Sequence, residues 1–209
     1  MTDTECAKPR GRPRRFELEQ AICTAQSLFH EHGYEALGIA ALTKALGINP
    51  PSFYAAFGSK AALFERVLER YSRIGLPLDE VLRPGIPLAE ALGALLETAA
   101  RIYAADPRAP GCMVLDTARL GSESESGAIA RRFSEAGRLR LRDHIALTHP
   151  AQAEGVADYV TSTMSGLSAG AREGWGEARL LSVARLAATA LGATLETPAI
   201  GGQAVTRAG

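Results

Sequence analysis

Two adjacent prolines, Pro50 and Pro51, constrain the fold of this chain more than any other feature. Proline fixes φ at about −65° and has no amide proton, so within a helix the pair fits only the first turn. Asn49 precedes the pair as a helix cap, and Gly47 interrupts the apolar pattern before it. The sequence therefore predicts a short helix at 39–46, a turn at 47–49 and a second short helix at 50–56.

The second of these helices has two different faces. Phe53 and Phe57 are four residues apart and form an apolar back that we expect to pack on the core. The front carries only small groups, namely Pro51, Ser52, Ala55 and Ala56. Two short helices joined by a tight turn have helix-turn-helix dimensions, and a small front lets a recognition helix approach base edges in the major groove. We expect Pro51 and Ser52 to approach the bases.

The rest of the chain is also predicted to be helical. Apolar residues recur every three or four positions, and no β-branched run alternates with period two. Further helices are predicted at 17–32, 60–74, 87–105, 112–120, 127–147, 151–173 and 177–194. The predicted organisation is a basic flexible arm (1–15), a helix-turn-helix DNA-binding domain (16–60), a connecting helix and joint (61–86), a ligand-sensing and dimerisation domain (87–196) and a disordered tail (197–209). The fold class is thus all-α, with a three-helix N-terminal domain.

Positive charge is concentrated at the N-terminus. Lysine and arginine together number 23, as do aspartate and glutamate, so the whole chain has no excess charge for unspecific binding to polyanions. Five of these cations fall within residues 8–15, and the run Arg10-Gly11-Arg12-Pro13 is similar to the core of an AT-hook. We expect Arg10, Arg12, Arg14 and Arg15 to contact DNA in an A·T-rich minor groove. The alternative is an ordinary solvated charge run.

Several classes of protein are not expected. No run of about 18 uninterrupted apolar residues exists, and the polar N-terminus does not resemble a signal peptide, so we expect a cytoplasmic protein without a membrane partner. We find no nucleophile elbow, phosphate loop or zinc motif, and expect neither enzyme activity nor a cofactor. His30 and His32 are two residues apart and point in different directions, so we expect exposed polar groups there and no metal site.

One stretch of the chain resembles a known family. The pattern that carries the resemblance is Phe29…His32-Gly33-Tyr34…Leu42…Gly47-Ile48…Ser52-Phe53-Tyr54…Phe57-Gly58-Ser59-Lys60…Leu63. It is similar to the N-terminal domain of TetR regulators over about residues 16–70. The resemblance implies a regulator that binds double-stranded operator DNA, with Tyr54 and Lys60 on phosphates. We also expect Asn49 and Pro50 to belong to the DNA-binding residues. One departure is Leu37-Gly38, where the family has threonine and serine, and where the serine caps the next helix and touches phosphate.

The last two predicted helices differ from the others in their apolar pattern. Helix 151–173 has one apolar stripe and several small residues, whereas helix 177–194 is apolar on more than one side. A helix that is apolar nearly all round must be buried on two sides. We therefore expect a four-helix bundle formed by two helices from each subunit of a homodimer, as the resemblance also implies. The alternative is a purely internal core.

We also expect the C-terminal half to bind a small-molecule effector of unknown identity. Gly111–Leu115 and Ala171–Gly174 resemble a TetR branch that includes acrylate- and copper-responsive regulators. The candidate lining residues are Tyr103, Cys112, Met113, Asp116, Phe133, Tyr159, Met164 and Trp175. Cys112 is either a small core residue or a sensor of metals or electrophiles. A constitutive architectural DNA-binding protein and a redox- or metal-sensing regulator acting through Cys112 are the alternative functions.

Overall fold

The computed structural model describes residues 17–76, 78–83 and 85–196, and within these ranges its regular structure is entirely helical. Ten helices follow one another: α1 (Leu18–His32), α2 (Ile39–Leu46), α3 (Pro50–Phe57), α4 (Lys60–Ile74), α5 (Leu78–Val81), α6 (Leu88–Ala104), α7 (Met113–Ala118), α8 (Glu125–Ala146), α9 (Ala153–Arg172) and α10 (Glu177–Glu196). The predicted basic arm, with Arg10, Arg12, Arg14 and Arg15, and the predicted tail lie outside the described residues.

Local capping signals determine where the N-terminal helices begin. The Asn49 side chain accepts a hydrogen bond of 2.8 Å from the Ser52 amide at the start of α3. The Ser59 hydroxyl accepts one of 3.0 Å from the Ala62 amide at the start of α4. These bonds satisfy amides that have no partner within the helix. Gly47 ends α2 with φ of 67°, a left-handed conformation that favours glycine.

Aromatic residues hold these four helices together. The Phe29 and Phe64 rings, from α1 and α4, meet edge to face with centroids 5.1 Å apart. Phe53 and Phe57 are buried on the back of α3, with ring centroids 5.3 Å apart. The predicted apolar back of the second short helix is thereby confirmed. Of its predicted front, Pro51, Ser52 and Ala55 are exposed, whereas Ala56 packs partly against the core.

The joint between the two halves contains a helix that the sequence analysis did not predict. α5 occupies Leu78–Val81, in the proline-rich segment that was expected to be irregular throughout. Leu78 and Val81 pack against the core, and Leu82 is buried in it. Burial of three apolar side chains therefore stabilises a single turn, although one turn has little helical stability of its own.

The C-terminal half is built on the contact between α6 and α10. Leu180, Ala184, Ala187 and Leu191 form the buried side of α10. The two helices approach closely at Gly93, where an added Cβ would lie 3.1 Å from the Cβ of Ala188. A bulkier residue at position 93 would therefore push α10 away from α6.

The opposite side of α10 remains at the surface. Leu186 is 71% exposed, and Val183 on α10 and Tyr159 on α9 are exposed as well. By length and composition alone α10 could cross a membrane, with a mean hydropathy of 1.2. The same composition also suits a helix that packs on α6 with one side and on another protein chain with the other.

His30 is half-buried, and its Nε2 atom is fully buried, which corrects the expectation of an exposed residue. Its ring lies edge to face against Tyr71, with centroids 5.5 Å apart, and donates a hydrogen bond to the Gly111 carbonyl. Burial lowers the pKa of His30, the positive charge of Arg172 lowers it further, and Asp116 and Asp106 oppose the shift. The residue lies four positions after Gln26, on the side of α1 that faces α4, whereas His32 is exposed. Among the described residues no cluster able to hold a metal ion is found.

The half-buried ring of His30 makes the free energy of unfolding depend on pH. Its pKa is lowered in the folded protein, so the neutral ring stabilises the fold above pH of about 6.5, and this stability is lost as the pH falls through the lowered value. We expect the urea midpoint to fall more between pH 7.5 and 5.5 in the wild type than in His30→Gln. The other histidines are common to both proteins. Equal losses in both would contradict this assignment.

Candidate nucleic-acid interface and effector cavity

The front of α3 is presented to solvent. Pro50, Pro51, Ser52 and Ala55 are exposed, and Tyr54 is exposed to 50% of its surface. Tyr54 is therefore a surface residue and not part of the core. The Asn49 side chain is occupied as the helix cap, so its carbonyl oxygen is held at the N-terminus of α3. A helix with small exposed groups at its first turns has the shape that the major groove admits.

Lys60 is held in place by the backbone of the loop between α1 and α2. Its ammonium donates to the Tyr34 carbonyl at 3.0 Å and to the Leu37 carbonyl at 3.1 Å. It also lies 3.8 Å from the centre of the Tyr34 ring, on its face. An ammonium group has three donors, so one remains for an anion at the N-terminus of α4.

Position 37 cannot supply the contact that threonine or serine makes in the family. Leu37 is buried, and Gly38 begins α2 without any side-chain cap. The first amides of α2 therefore remain available for an anion, but no hydroxyl stands beside them.

The loop that holds Lys60 is also tied to the other half of the molecule. The Tyr34 hydroxyl donates to the carboxylate of Glu125 in the first turn of α8, and the Ser126 hydroxyl donates to Glu35 at 3.0 Å. Burial raises the pKa of Tyr34, and the hydrogen bond to Glu125 raises it further. The N-terminus of α8 therefore contacts the same loop whose carbonyls position Lys60.

A cavity of about 250 Å³ lies among the C-terminal helices, with one side formed by α4. Its wall includes Tyr103, Cys112, Phe133 and Met164, four of the eight residues proposed from the sequence. It also includes Tyr71, Ser72, Gly75, Leu76, Leu78, Ile102, Val114, Leu115, Ser134, Ala136, Gly137, Arg138, Arg140, Leu141 and Thr161, which were not proposed. Because the wall combines parts of five helices and the joint, no periodic pattern within one helix marks these residues.

The other four proposed residues lie elsewhere. Met113 is buried in the core, and Asp116 forms an ion pair with Arg172. Tyr159 lines a separate hollow of about 310 Å³ between α9 and α10, and Trp175 packs beneath the guanidinium of Arg179 at 3.6 Å. Their absence from the cavity wall corrects the proposed lining for Met113, Asp116, Tyr159 and Trp175.

Cys112 lies on the cavity wall as a protonated thiol. Burial raises its pKa, although hydrogen bonds from the Leu115 amide and the Tyr71 hydroxyl oppose the shift. Its backbone amide donates to the Ser168 hydroxyl at 2.7 Å. The thiolate is the form that attacks electrophiles and binds metals, so this environment disfavours both reactions. The local chemistry therefore favours a packing residue over a sensor.

Ion pairs close the side of the cavity between α8 and α9. Arg138 donates to Glu135 on its own helix and to both Glu154 and Asp158 on α9, the last two at 2.9 Å. These hydrogen bonds raise the pKa of Arg138, and the bond to Glu135 has the largest effect. The arginine faces three carboxylates and brings no uncompensated positive charge to the cavity wall.

The chain matches known proteins along most of its length. Residues 22–67 match a family model described as bacterial regulatory proteins, tetR family. The chain is 44% identical to the HTH-type transcriptional repressor BdcR of Escherichia coli (strain K12), over 89% of this chain and 94% of that protein. It is 29% identical to the repressor ComR of the same organism, over 87% of this chain and 92% of that protein.

A solved structure shares both the fold and a third of the residues. It is a cysteine mutant of the TetR family transcriptional regulator CifR, complexed with 26-base-pair double-strand operator DNA. The match covers 86% of this chain and 99% of that chain, with a TM-score of 0.73 and 33% identity. The match therefore includes both halves of the molecule.

Proposed function

Because the chain belongs to the TetR family of bacterial regulatory proteins, we propose that it represses transcription by binding a palindromic operator as a homodimer and releases the operator when a small molecule enters its cavity. The exposed, small-faced α3 on a capped helix-turn-helix carries the proposal. The repressor names of BdcR and ComR, and the operator complex of CifR, support it. Such a regulator acts in the cytoplasm.

Footprinting on DNA that flanks its own gene tests this proposal. A regulator should protect a short palindrome with half-sites one helical turn apart, about 34–36 Å between centres. The alternative architectural protein, which would use mainly the basic arm, should give diffuse coverage of A·T-rich DNA. Absence of protection under low salt would contradict both functions.

Lys60 and Tyr54 are the proposed phosphate contacts, and Pro51 and Ser52 the residues closest to the bases. Support comes from the exposure of α3 and from the ammonium fixed at the N-terminus of α4. Phosphate contacts determine position and affinity, while base contacts determine sequence preference. The two groups of residues should therefore respond differently to a change of operator sequence.

Replacement of Lys60 tests the phosphate contact. We expect Lys60→Ala to weaken binding to all sequences alike and to reduce the slope of log K against log salt by about one. Stability should fall by about 1–3 kcal/mol as well, because two charged hydrogen bonds to the loop are lost. Salt titrations of affinity and urea unfolding measure the two effects.

The control is Arg83→Ala, which removes the same charge from an exposed residue between α5 and α6. It should leave the slope unchanged. A slope that stays the same in Lys60→Ala, in a protein that remains folded, would contradict the phosphate contact.

The exposed side of α10 is the proposed dimer interface. An apolar surface formed by Leu186 and Val183, beside Tyr159 of α9, gains stability when another chain covers it. Two subunits that each contribute α9 and α10 form a four-helix bundle, and the small exposed residues of α9, Gly155 and Gly166, permit close approach.

Effector and DNA are proposed to act on each other through α8. One end of this helix contacts the loop around Tyr34 and Glu35, and its middle lines the cavity at Phe133 and Gly137. A ligand that displaces α8 would move the loop that holds Lys60. By linkage, the factor by which effector weakens DNA binding must equal the factor by which DNA weakens effector binding.

A further inference from the structure

Thr161 departs from the behaviour of neighbouring hydroxyl residues in the same helix. The Thr163 hydroxyl donates to the Tyr159 carbonyl at 2.8 Å, and the Ser165 hydroxyl donates to the Thr161 carbonyl at 3.0 Å. Such bonds to the residue four positions earlier are the usual arrangement for a serine or threonine within a helix. The Thr161 hydroxyl has no hydrogen-bond partner and is buried.

An unpaired buried hydroxyl is costly, about 1–3 kcal/mol. In the part of the chain that the structure describes, only two buried side-chain polar atoms have no hydrogen-bond partner, Thr161 Oγ1 and His30 Nε2. Of these two residues only Thr161 lines the cavity. Thr161 is therefore a residue of the cavity wall whose hydroxyl has unused hydrogen-bonding capacity.

Apart from Ser72 and Ser134, which are exposed and half-buried, the other polar side chains of the wall have interaction partners. The Cys112 thiol is hydrogen-bonded to Tyr71 and Tyr103, and the Tyr71 hydroxyl also receives the Met113 amide. Arg138 is engaged by three carboxylates. Most of the remaining wall is apolar, with Leu76, Leu115, Phe133, Leu141 and Met164 among its residues.

We propose that the cavity takes an uncharged, largely apolar molecule of about ten non-hydrogen atoms that carries one hydrogen-bonding group, and that this group pairs with the Thr161 hydroxyl. The inference rests on the proposed function, because it names the chemical class of the effector. A cavity of about 150 Å³ accepts benzene, so one of about 250 Å³ suits a molecule of roughly ten heavy atoms.

The apolar wall and the engaged polar groups also disfavour a charged ligand. An ion moved from water into an apolar cavity loses its hydration, and only a partner of opposite charge compensates. Two arginines line the wall. Arg140 has an interaction of its own, and Arg138 would have to leave Glu135, Glu154 and Asp158 to pair with an anion. A neutral donor or acceptor avoids this exchange and still satisfies Thr161.

Matched probes test the inference on the full-length protein. The probes are 2-naphthol, naphthalene and 2-naphthoate, with phenol, benzene and benzoate as the smaller set. Within each set the three compounds share one ring system. They differ only in whether it carries a hydroxyl, a hydrogen or a carboxylate. We expect the hydroxyl compound to bind best, about 2–13-fold tighter than the hydrocarbon, as one net hydrogen bond implies. Dissociation constants come from naphthyl fluorescence and from calorimetry.

Two variants at position 161 assign the hydrogen bond. Thr161→Val has nearly the same shape and should remove the preference for the hydroxyl compound, with little loss of hydrocarbon binding. Thr161→Ser keeps the hydroxyl and should keep the preference. Urea midpoints of both variants, measured beside the wild type, establish that they are folded.

The possible failures are distinguishable. Tighter binding of a carboxylate, or an unchanged preference in a folded Thr161→Val, would overturn the inference and leave an effector site in place. If no probe of either set binds, the cavity is not an effector site, and the effector part of the proposed function falls together with the inference. Footprinting of the operator remains an independent test of DNA binding.

Discussion

Leu186→Glu is expected to yield a folded monomer that has lost most of its operator affinity. Leu186 is 71% exposed in the single chain and lies on the exposed side of α10, three residues after the exposed Val183. A glutamate there would bring an unpaired charge into the proposed four-helix interface, which is strongly unfavourable. Because a dimer holds two half-sites at once, the monomer should bind about 10²- to 10⁴-fold more weakly.

Sedimentation at micromolar concentration measures the change of state, and an operator titration measures the affinity. Leu147→Glu is the matched control, because Leu147 is 78% exposed and lies outside α9 and α10. It should remain dimeric. A Leu186→Glu protein that sediments as a dimer would place the interface elsewhere.

Gly111→Ala is expected to destabilise the fold strongly, because both the backbone conformation and the space at this position suit only glycine. Gly111 has φ of 79°, and an added Cβ would lie 2.8 Å from both Asp116 Oδ2 and Ser168 Oγ. The left-handed backbone costs about 1–2 kcal/mol and the overpacking about 1–3 kcal/mol. We expect a total loss of about 3 kcal/mol in the free energy of unfolding.

A glycine in open space provides the comparison. An added Cβ at Gly192, within α10, has no neighbour within 4 Å, so Gly192→Ala should be neutral or stabilising by up to about 1 kcal/mol. Both variants are compared by urea unfolding at one fixed protomer concentration, because dimerisation makes apparent stability depend on concentration. A loss of less than about 1 kcal/mol in Gly111→Ala would mean that the loop before α7 yields easily.

Helix boundaries could be predicted where the chain carries its own stop signals. Gly47 and the pair Pro50-Pro51 gave the limits of α2 and the beginning of α3 as the structure has them. α5 was not predictable, because its stability comes from contacts with distant residues of the core and its own sequence lies among prolines. His30 was expected at the surface because it was compared only with His32. Its ring lies on the side of α1 that faces Tyr71 of α4.

Site residues were predictable only where one helix carries the whole signal. The front of α3 is such a case, because the exposure of Ser52 follows from the helical periodicity, whereas Tyr54 was assigned from the family resemblance. The cavity is different, because Tyr71, Thr161 and Arg138 come from α4, α9 and α8 and meet only when these helices pack. The sequence does not indicate that the Thr161 hydroxyl has no partner. Thr163 and Ser165 are similar residues in the same helix, and their hydroxyls have partners.

The way in which Lys60 is held has a consequence for the speed and strength of operator binding. A free lysine side chain carries about 2 kcal/mol of rotamer entropy, which is lost when a phosphate immobilises it. Here the two carbonyls of the α1–α2 loop and the Tyr34 ring have already restricted the chain before DNA arrives. The ammonium is therefore held in one conformation before DNA binds. The Lys60 side chain loses little conformational entropy when it contacts a phosphate.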